Sequence, residues 1–173
     1  MLFIWVVVGV VVAVFLLTVL FGAPYVPTHK KQARLAFTKL RPVTKKDVVL
    51  DIGSGDGVVL GEALAAGAGR AVGFEINPLL VAVAKVRLRT YKTRAVVCVR
   101  NFWEASFPED VTVVYTFGES RDIAKMYGRV QAEATRLGRK IDFISYAFAV
   151  PNQPNFTQEG AVFLYKVIPL QNI

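Results

Sequence analysis

The chain has 173 residues, room for one domain of ordinary size. Its 21 Lys and Arg against 13 Asp and Glu give a formal net charge of +8. A single cysteine excludes an intrachain disulfide, and a single histidine with no cluster of other donors excludes a metal centre.

The first predicted element is a membrane anchor over residues 1–22. Met1 to Thr28 carries no charged side chain. A helix over Met1–Phe21 rises roughly 32 Å, enough to cross a hydrocarbon core of about 30 Å. A cleaved signal peptide fits less well, because no basic residues precede the apolar stretch and Pro24 directly follows Gly22-Ala23. A buried core helix would show a polar stripe, and none runs along the segment. The basic run follows: Lys30, Lys31, Arg34, Lys39, Arg41, Lys45 and Lys46 all precede the first acid, Asp47. Positive charge beside a membrane segment marks the cytoplasmic face. Anionic lipid headgroups account for that run, so the expected partner is the bilayer and no nucleic acid is expected. Lys30–Leu40 reads as a basic amphipathic helix with Ala33, Leu35, Ala36, Phe37 and Leu40 inward, Thr28 as cap and Pro42 as stop. His29 reads as an interface residue. Residues 23–46 thus form a juxtamembrane segment, and 47–173 the folded domain.

Strands and helices then alternate: strand 48–52, helix 58–66, strand 71–75, helix 78–90, strands 95–99 and 111–117, helix 120–136, strands 141–147 and 161–167. Asn77 and Pro78 are start signals for helix 78–90. Segment 148–160, with Pro151, Asn152, Pro154 and Asn155, reads as a loop. The rhythm predicts an α/β fold, a Rossmann-like parallel sheet with helices on both faces. Cys98 lies in an apolar strand and reads as a small hydrophobe.

The chemistry concentrates where the first strand ends, at Asp51-Ile52-Gly53-Ser54-Gly55-Asp56-Gly57. Glycines at every second position permit a close backbone approach to a ligand. A helix follows at once, and the next strand ends in Glu75, a carboxylate suited to a ribose diol. A nucleoside-type ligand is therefore expected across both strand tips. The third glycine comes one position early for a dinucleotide fingerprint, and no Gly-Lys-Ser/Thr closes a phosphate loop. Asp51 and Asp56 suit a cationic ligand better than a pyrophosphate. The D-x-G-x-G-x-G form resembles motif I of the seven-strand methyltransferases that use S-adenosylmethionine.

Further residues sharpen the resemblance. Ala23-Pro24-Tyr25-Val26-Pro27-Thr28, then the glycine turn, then Gly73-Phe74-Glu75-Ile76-Asn77-Pro78, then Asn101-Phe102-Trp103 stand in order. In this arrangement the chain resembles the membrane-anchored protein-lysine methyltransferases of the ATP synthase c subunit and the adenine nucleotide translocase, with their small bacterial relatives. The resemblance implies a minimal seven-strand fold, S-adenosylmethionine as cofactor, and lysines of membrane proteins as substrates. It departs in two places. Asn101 stands where an acid is usual, and Gly118-Glu119-Ser120 stands where a Gly-x-Pro turn is usual.

Asp51, Gly53, Ser54, Gly55, Asp56 and Gly57 are expected to hold the amino-acid end of the donor. Glu75 takes the ribose, Ile76 flanks the adenine, and Asn101 and Phe102 meet its edge. Tyr25, Trp103, Tyr115 and Phe117 are the expected walls of a methyl-transfer slot that desolvates an amine. Glu119 reads as an exposed carboxylate at a helix start. The alternatives are a lipid or small apolar acceptor, and a cofactor-binding assembly factor without catalysis. The expected location is the cytoplasmic face of a bacterial inner membrane, with the mitochondrial inner membrane as the alternative.

Overall fold

The computed structural model describes residues 1–21, 30–118 and 120–170. The side chains of Leu2, Val11 and residues 14–21 lie outside that description, as do Tyr25, Thr28 and Glu119.

Helix α1 (Leu2–Phe21) carries no charged residue. Side chains are described for only part of it, and among the described residues no helix is long and apolar enough to cross a membrane. Helix α2 (Lys30–Leu35) continues as a π-helical turn, Ala36–Leu40. There Arg41 N–H reaches back five residues to the Ala36 carbonyl at 2.8 Å. Ala33, Ala36 and Phe37 are its buried face, while Leu35 and Leu40 are half-buried.

Seven strands form one sheet: β1 (Val48–Ile52), β2 (Arg70–Glu75), β3 (Ala95–Val99), β4 (Val113–Thr116), β5 (Ile141–Tyr146), β6 (Phe156–Glu159) and β7 (Val162–Val167). Their spatial order is β3-β2-β1-β4-β5-β7-β6. The first five are parallel, but β7 pairs antiparallel with both β5 and β6, so the sheet is mixed rather than parallel throughout. The predicted loop 148–160 therefore contains a strand. All four residues of β6 are exposed and show no inward alternation, so only the tight turn at Gly160, with φ 59°, and pairing to β7 define it. The strand expected over 111–117 narrows to β4.

Two layers cover the sheet. On one side lie α2, the π-turn, α3 (Val58–Ala65) and α4 (Pro78–Leu88). On the other lies α5 (Ile123–Leu137), and no helix joins β3 to β4. Segment 101–110 takes that missing helix's place and is tied to α5 through one acid. Glu133, 3 % exposed, accepts from Arg129 Nη1 at 2.7 Å, Arg136 Nε at 2.8 Å and the Phe107 amide at 3.1 Å. Arg129 and Arg136 in turn donate to the Ala105 and Phe107 carbonyls.

Part of the basic run is structural. Arg41 donates to Asp47 through Nη2 at 2.7 Å and Nη1 at 3.1 Å, and through Nε to Asp142 at 2.7 Å. It ties the π-turn to the start of β1 and to β5. Arg34 pairs with Glu62 at 3.1 Å. The lysines are left as the run's outward charge.

Candidate functional site

After β3 the chain returns to the middle of the sheet and continues outward from β4, so the order reverses between β1 and β4. Ligands of open α/β sheets settle outside the carboxyl ends of the strands at such a reversal. The glycine turn, the tip of β2 and the tip of β4 meet there.

The turn takes its shape from backbone that only glycine adopts freely: Gly53, Gly55 and Gly57 have φ of 84°, 52° and 79°. Gly53 and Ser54 amides both donate to the Phe74 carbonyl, at 2.8 and 3.0 Å, which clamps the turn to β2. A Cβ built on Gly53 would meet nothing within 4 Å, so open space lies beside this backbone. A Cβ on Gly57 would fall 3.0 Å from Ala84 and Leu88, so that glycine seats α4. Ser54 turns inward, buried beside Gly73, where a Cβ would lie 2.5 Å from its Oγ. Its expected ligand contact is therefore confined to its backbone. Gly73 is a requirement that the strand pattern did not single out; its signal is a glycine amid Ala71-Val72 and Phe74.

Glu75 is a strut as well as a tip. It is 8 % exposed and accepts from the Gly55 amide at 2.9 Å and the Asn77 amide at 2.8 Å, one per carboxylate oxygen. Each oxygen keeps a further lone pair for a diol. Asn77 caps α4 as expected, accepting from Leu79 N–H at 2.9 Å, and leaves Ile76 48 % exposed at the β2 tip.

Asp51 is 2 % exposed, and its carboxyl is pushed well above the usual range by burial first, then by Glu75 and Asp56. A buried acid among acids is a site for a cation. Asp56 is a different matter. Arg87 of α4 pairs with it at 2.7 Å, and its other oxygen lies 3.4 Å from the Val58 amide. Its charge is answered from within the fold, because α4 brings Arg87 across the turn.

Of the four expected wall residues, the three that are described do not come together. Tyr25 lies outside the described residues. Tyr115 is fully buried, its ring 5.7 Å from that of Phe37, because β4 carries it one pleat beneath the π-turn; it has no surface for a substrate. Trp103 sits on the α5 side, 4.4 Å from the Phe102 ring and under Lys125 Nζ at 4.4 Å. Asn101 holds that turn: its Oδ1 accepts from Trp103 N–H at 3.1 Å and its amide donates to Glu104 at 2.7 Å. Phe117 follows the last residue of β4 at the carboxyl edge, and its partner there is Tyr146, the last residue of β5, with ring centroids 4.7 Å apart. The next residue, Ala147, has φ 72°, a left-handed value that costs about 1 kcal/mol and turns the chain away from the edge. Sequence reasoning missed Tyr146. The signal was an aromatic ending a strand just as Phe117 follows β4.

A glycine cradle with open space, a buried acid at Asp51 that pairs with no cation among the described residues, and an acid at the β2 tip define a Rossmann-like methyltransferase built to hold a cationic nucleoside donor. The chain belongs to the family described as the ANTKMT methyltransferase domain, whose pattern matches residues 51–156. No curated protein sequence matches it. In structure it is similar to an RNA methyltransferase from Salinibacter ruber in complex with S-adenosyl-L-homocysteine. That likeness has TM-score 0.73 and 22 % identity, and covers 85 % of this chain and 97 % of the other. It is also similar to geranyl diphosphate C-methyltransferase from Streptomyces coelicolor A3(2), in complex with Mg2+, geranyl diphosphate and S-adenosyl-L-homocysteine. Here the TM-score is 0.54 and the identity 19 %, over 66 % of this chain and 44 % of the other, less than half that protein's length. At these identities the likeness establishes the fold. With the family and the turn, it makes S-adenosylmethionine the methyl donor of this chain.

Proposed function

We propose that the chain is a protein-lysine N-methyltransferase acting on a membrane protein. The observation that supports this best is the Phe117–Tyr146 ring pair at the tips of β4 and β5, beside the donor turn. When bound, S-adenosylmethionine supplies a methyl group on a sulfonium. The chain's residues position the two reactants. Asp51 and the Gly53 and Gly55 backbone hold the charged end of the donor, Glu75 holds the ribose, and Ile76 and Phe102 flank the adenine. Asn101 acts by shaping the turn that presents Phe102.

A lysine ammonium titrates near 10.4 in water and must lose its proton to attack. Two ring faces exclude water around the side chain, and that desolvation lowers the value and populates the neutral amine, which attacks as its proton passes to solvent. Ring faces also tolerate a methylated ammonium. No dedicated base is required.

Segment 1–22 is the proposed membrane anchor, 23–46 the juxtamembrane segment carrying Tyr25, and 47–173 the catalytic domain on the cytoplasmic face of a bacterial inner membrane. The uncharged α1 and the outward lysines support that placement.

Membranes incubated with radiolabelled donor and the purified full chain test the reading. Label is expected in a protein band and is lost with Tyr146→Ala. Label in the organic extract instead would assign a lipid acceptor, and no label in either fraction would leave the chain a cofactor-binding factor.

A further inference from the structure

Helix α4 is apolar on two opposite faces. Val81, Ala84 and Leu88, each 3 % exposed or less, pack into the core beneath it. Leu79, Val83 and Val86, at i, i+4 and i+7, share the other face and are 40, 48 and 64 % exposed. A surface helix of a water-soluble domain carries polar residues there. Two of the three are valines, which have low helix propensity and gain no packing from this position. The outward stripe thus favours neither the helix nor its solvation in water.

The charge around the stripe is one-sided. Between Glu75 and Glu104 the chain has no acid, and it carries Lys85, Arg87, Arg89, Lys92, Arg94 and Arg100. Lys85 and Arg89 are exposed along the flank of the stripe, while Arg87 is held by Asp56. A second copy docked on this face about a two-fold axis would bring like charges together. An apolar stripe edged by long basic side chains instead suits the headgroup boundary of an anionic bilayer, with the valines and leucine in the acyl region and the cations among the phosphates. Position in the fold agrees. α4 lies in the same layer as α2, which begins with Lys30 and Lys31 just beyond the α1 segment.

We propose that α4 is a second membrane contact: its Leu79–Val83–Val86 face lies in the interface of an anionic bilayer and seats the α2–α3–α4 layer against the membrane. The inference shares the membrane with the anchor proposed for segment 1–22, but it rests on a different element and fails separately. It also sets the geometry of the reaction. A domain seated through this layer holds the carboxyl edge of its sheet at a fixed height over the bilayer, so it reaches acceptors close to the lipid surface.

The test uses the full chain in vesicles of phosphatidylcholine with phosphatidylglycerol. A nitroxide is placed by Val83→Cys in a Cys98→Ser background, with Ala132→Cys on exposed α5 as the reference on the opposite layer. The proposal expects oxygen to relax the label at position 83 more, and a water-soluble nickel chelate less, than at position 132. It also expects the difference to shrink in vesicles of phosphatidylcholine alone. Protein that floats with the vesicles while both labels contact water equally would overturn the α4 contact and leave the anchor standing. Protein that stays in the aqueous phase would overturn both. Dipolar broadening at position 83 would show a second copy on this face and overturn the lipid assignment.

Discussion

Glu75→Gln separates the two duties that the fold gives this carboxylate. One oxygen accepts from Gly55 and the other from Asn77, at 2.9 and 2.8 Å. Glutamine offers a single oxygen, so whichever way its amide settles, an NH2 faces a backbone N–H. One hydrogen bond to a charged group, about 1.5–3 kcal/mol, is lost and a nearly buried donor is left unpaired. Against this, Asp51 loses an acidic neighbour that helps raise its pKa, which offsets part of the cost. The net expectation is a fold weaker by about 1–2 kcal/mol in urea denaturation. Donor binding loses the charged acceptor for the ribose hydroxyls and weakens by about 10- to 100-fold in titration calorimetry. A stability loss with unchanged affinity would make Glu75 a turn strut and remove the ribose assignment. Unchanged stability and affinity together would overturn the whole account of this turn.

Asp51→Asn is expected to raise the melting temperature of the donor-free protein at neutral pH, because ionising this buried carboxyl opposes folding. The sign follows from its raised pKa: the associated stability is full below the usual carboxylate range and falls as pH rises. A cationic donor reverses that balance, so calorimetric affinity should strengthen with rising pH and release a proton at the acid end, and the variant should lack both. Asp47 works in the opposite direction. Burial pushes its carboxyl up, but Arg41, Thr44 and Thr112 outweigh that and bring it from 3.8 to about 2. Its contribution is complete above 3.8 and lost as pH falls towards 2, which a series of urea midpoints with Asp47→Asn as reference would show. Gly57→Ala combines a left-handed residue with a Cβ 3.0 Å from Ala84 and Leu88, and should destabilise by about 2–4 kcal/mol; a smaller loss would mean that α4 shifts freely. Glu133→Ala leaves Arg129 without its carboxylate beneath segment 101–110, while the more exposed Arg136 keeps Glu109, and should cost about 2–3 kcal/mol in the same assay.

Much of the donor cradle could be read in the chain because its causes are local. Strand, glycine turn, helix and the Glu75 tip lie within one continuous stretch, and positive φ at Gly53, Gly55 and Gly57 follows from the residue type. Asn77 and Pro78 announced α4 for the same reason. Depth was not legible. Tyr115 and Phe117 have the same parity along β4, yet one lies beneath the π-turn and the other stands beyond the strand end, because the neighbouring layer decides where burial stops.

Partnership over long sequence separations was equally silent. Arg41 belongs by composition to a basic run, and only folding sets it against Asp142, 101 residues away. Tyr146 meets Phe117 because β4 and β5 run in register, and Glu133 gathers two arginines because a helix was replaced by a loop. Residue type and short spacing dictate backbone shape and the chemistry of a turn. Which side chains face one another across the sheet, and which acids find an internal cation, depend on contacts that form when distant segments pack.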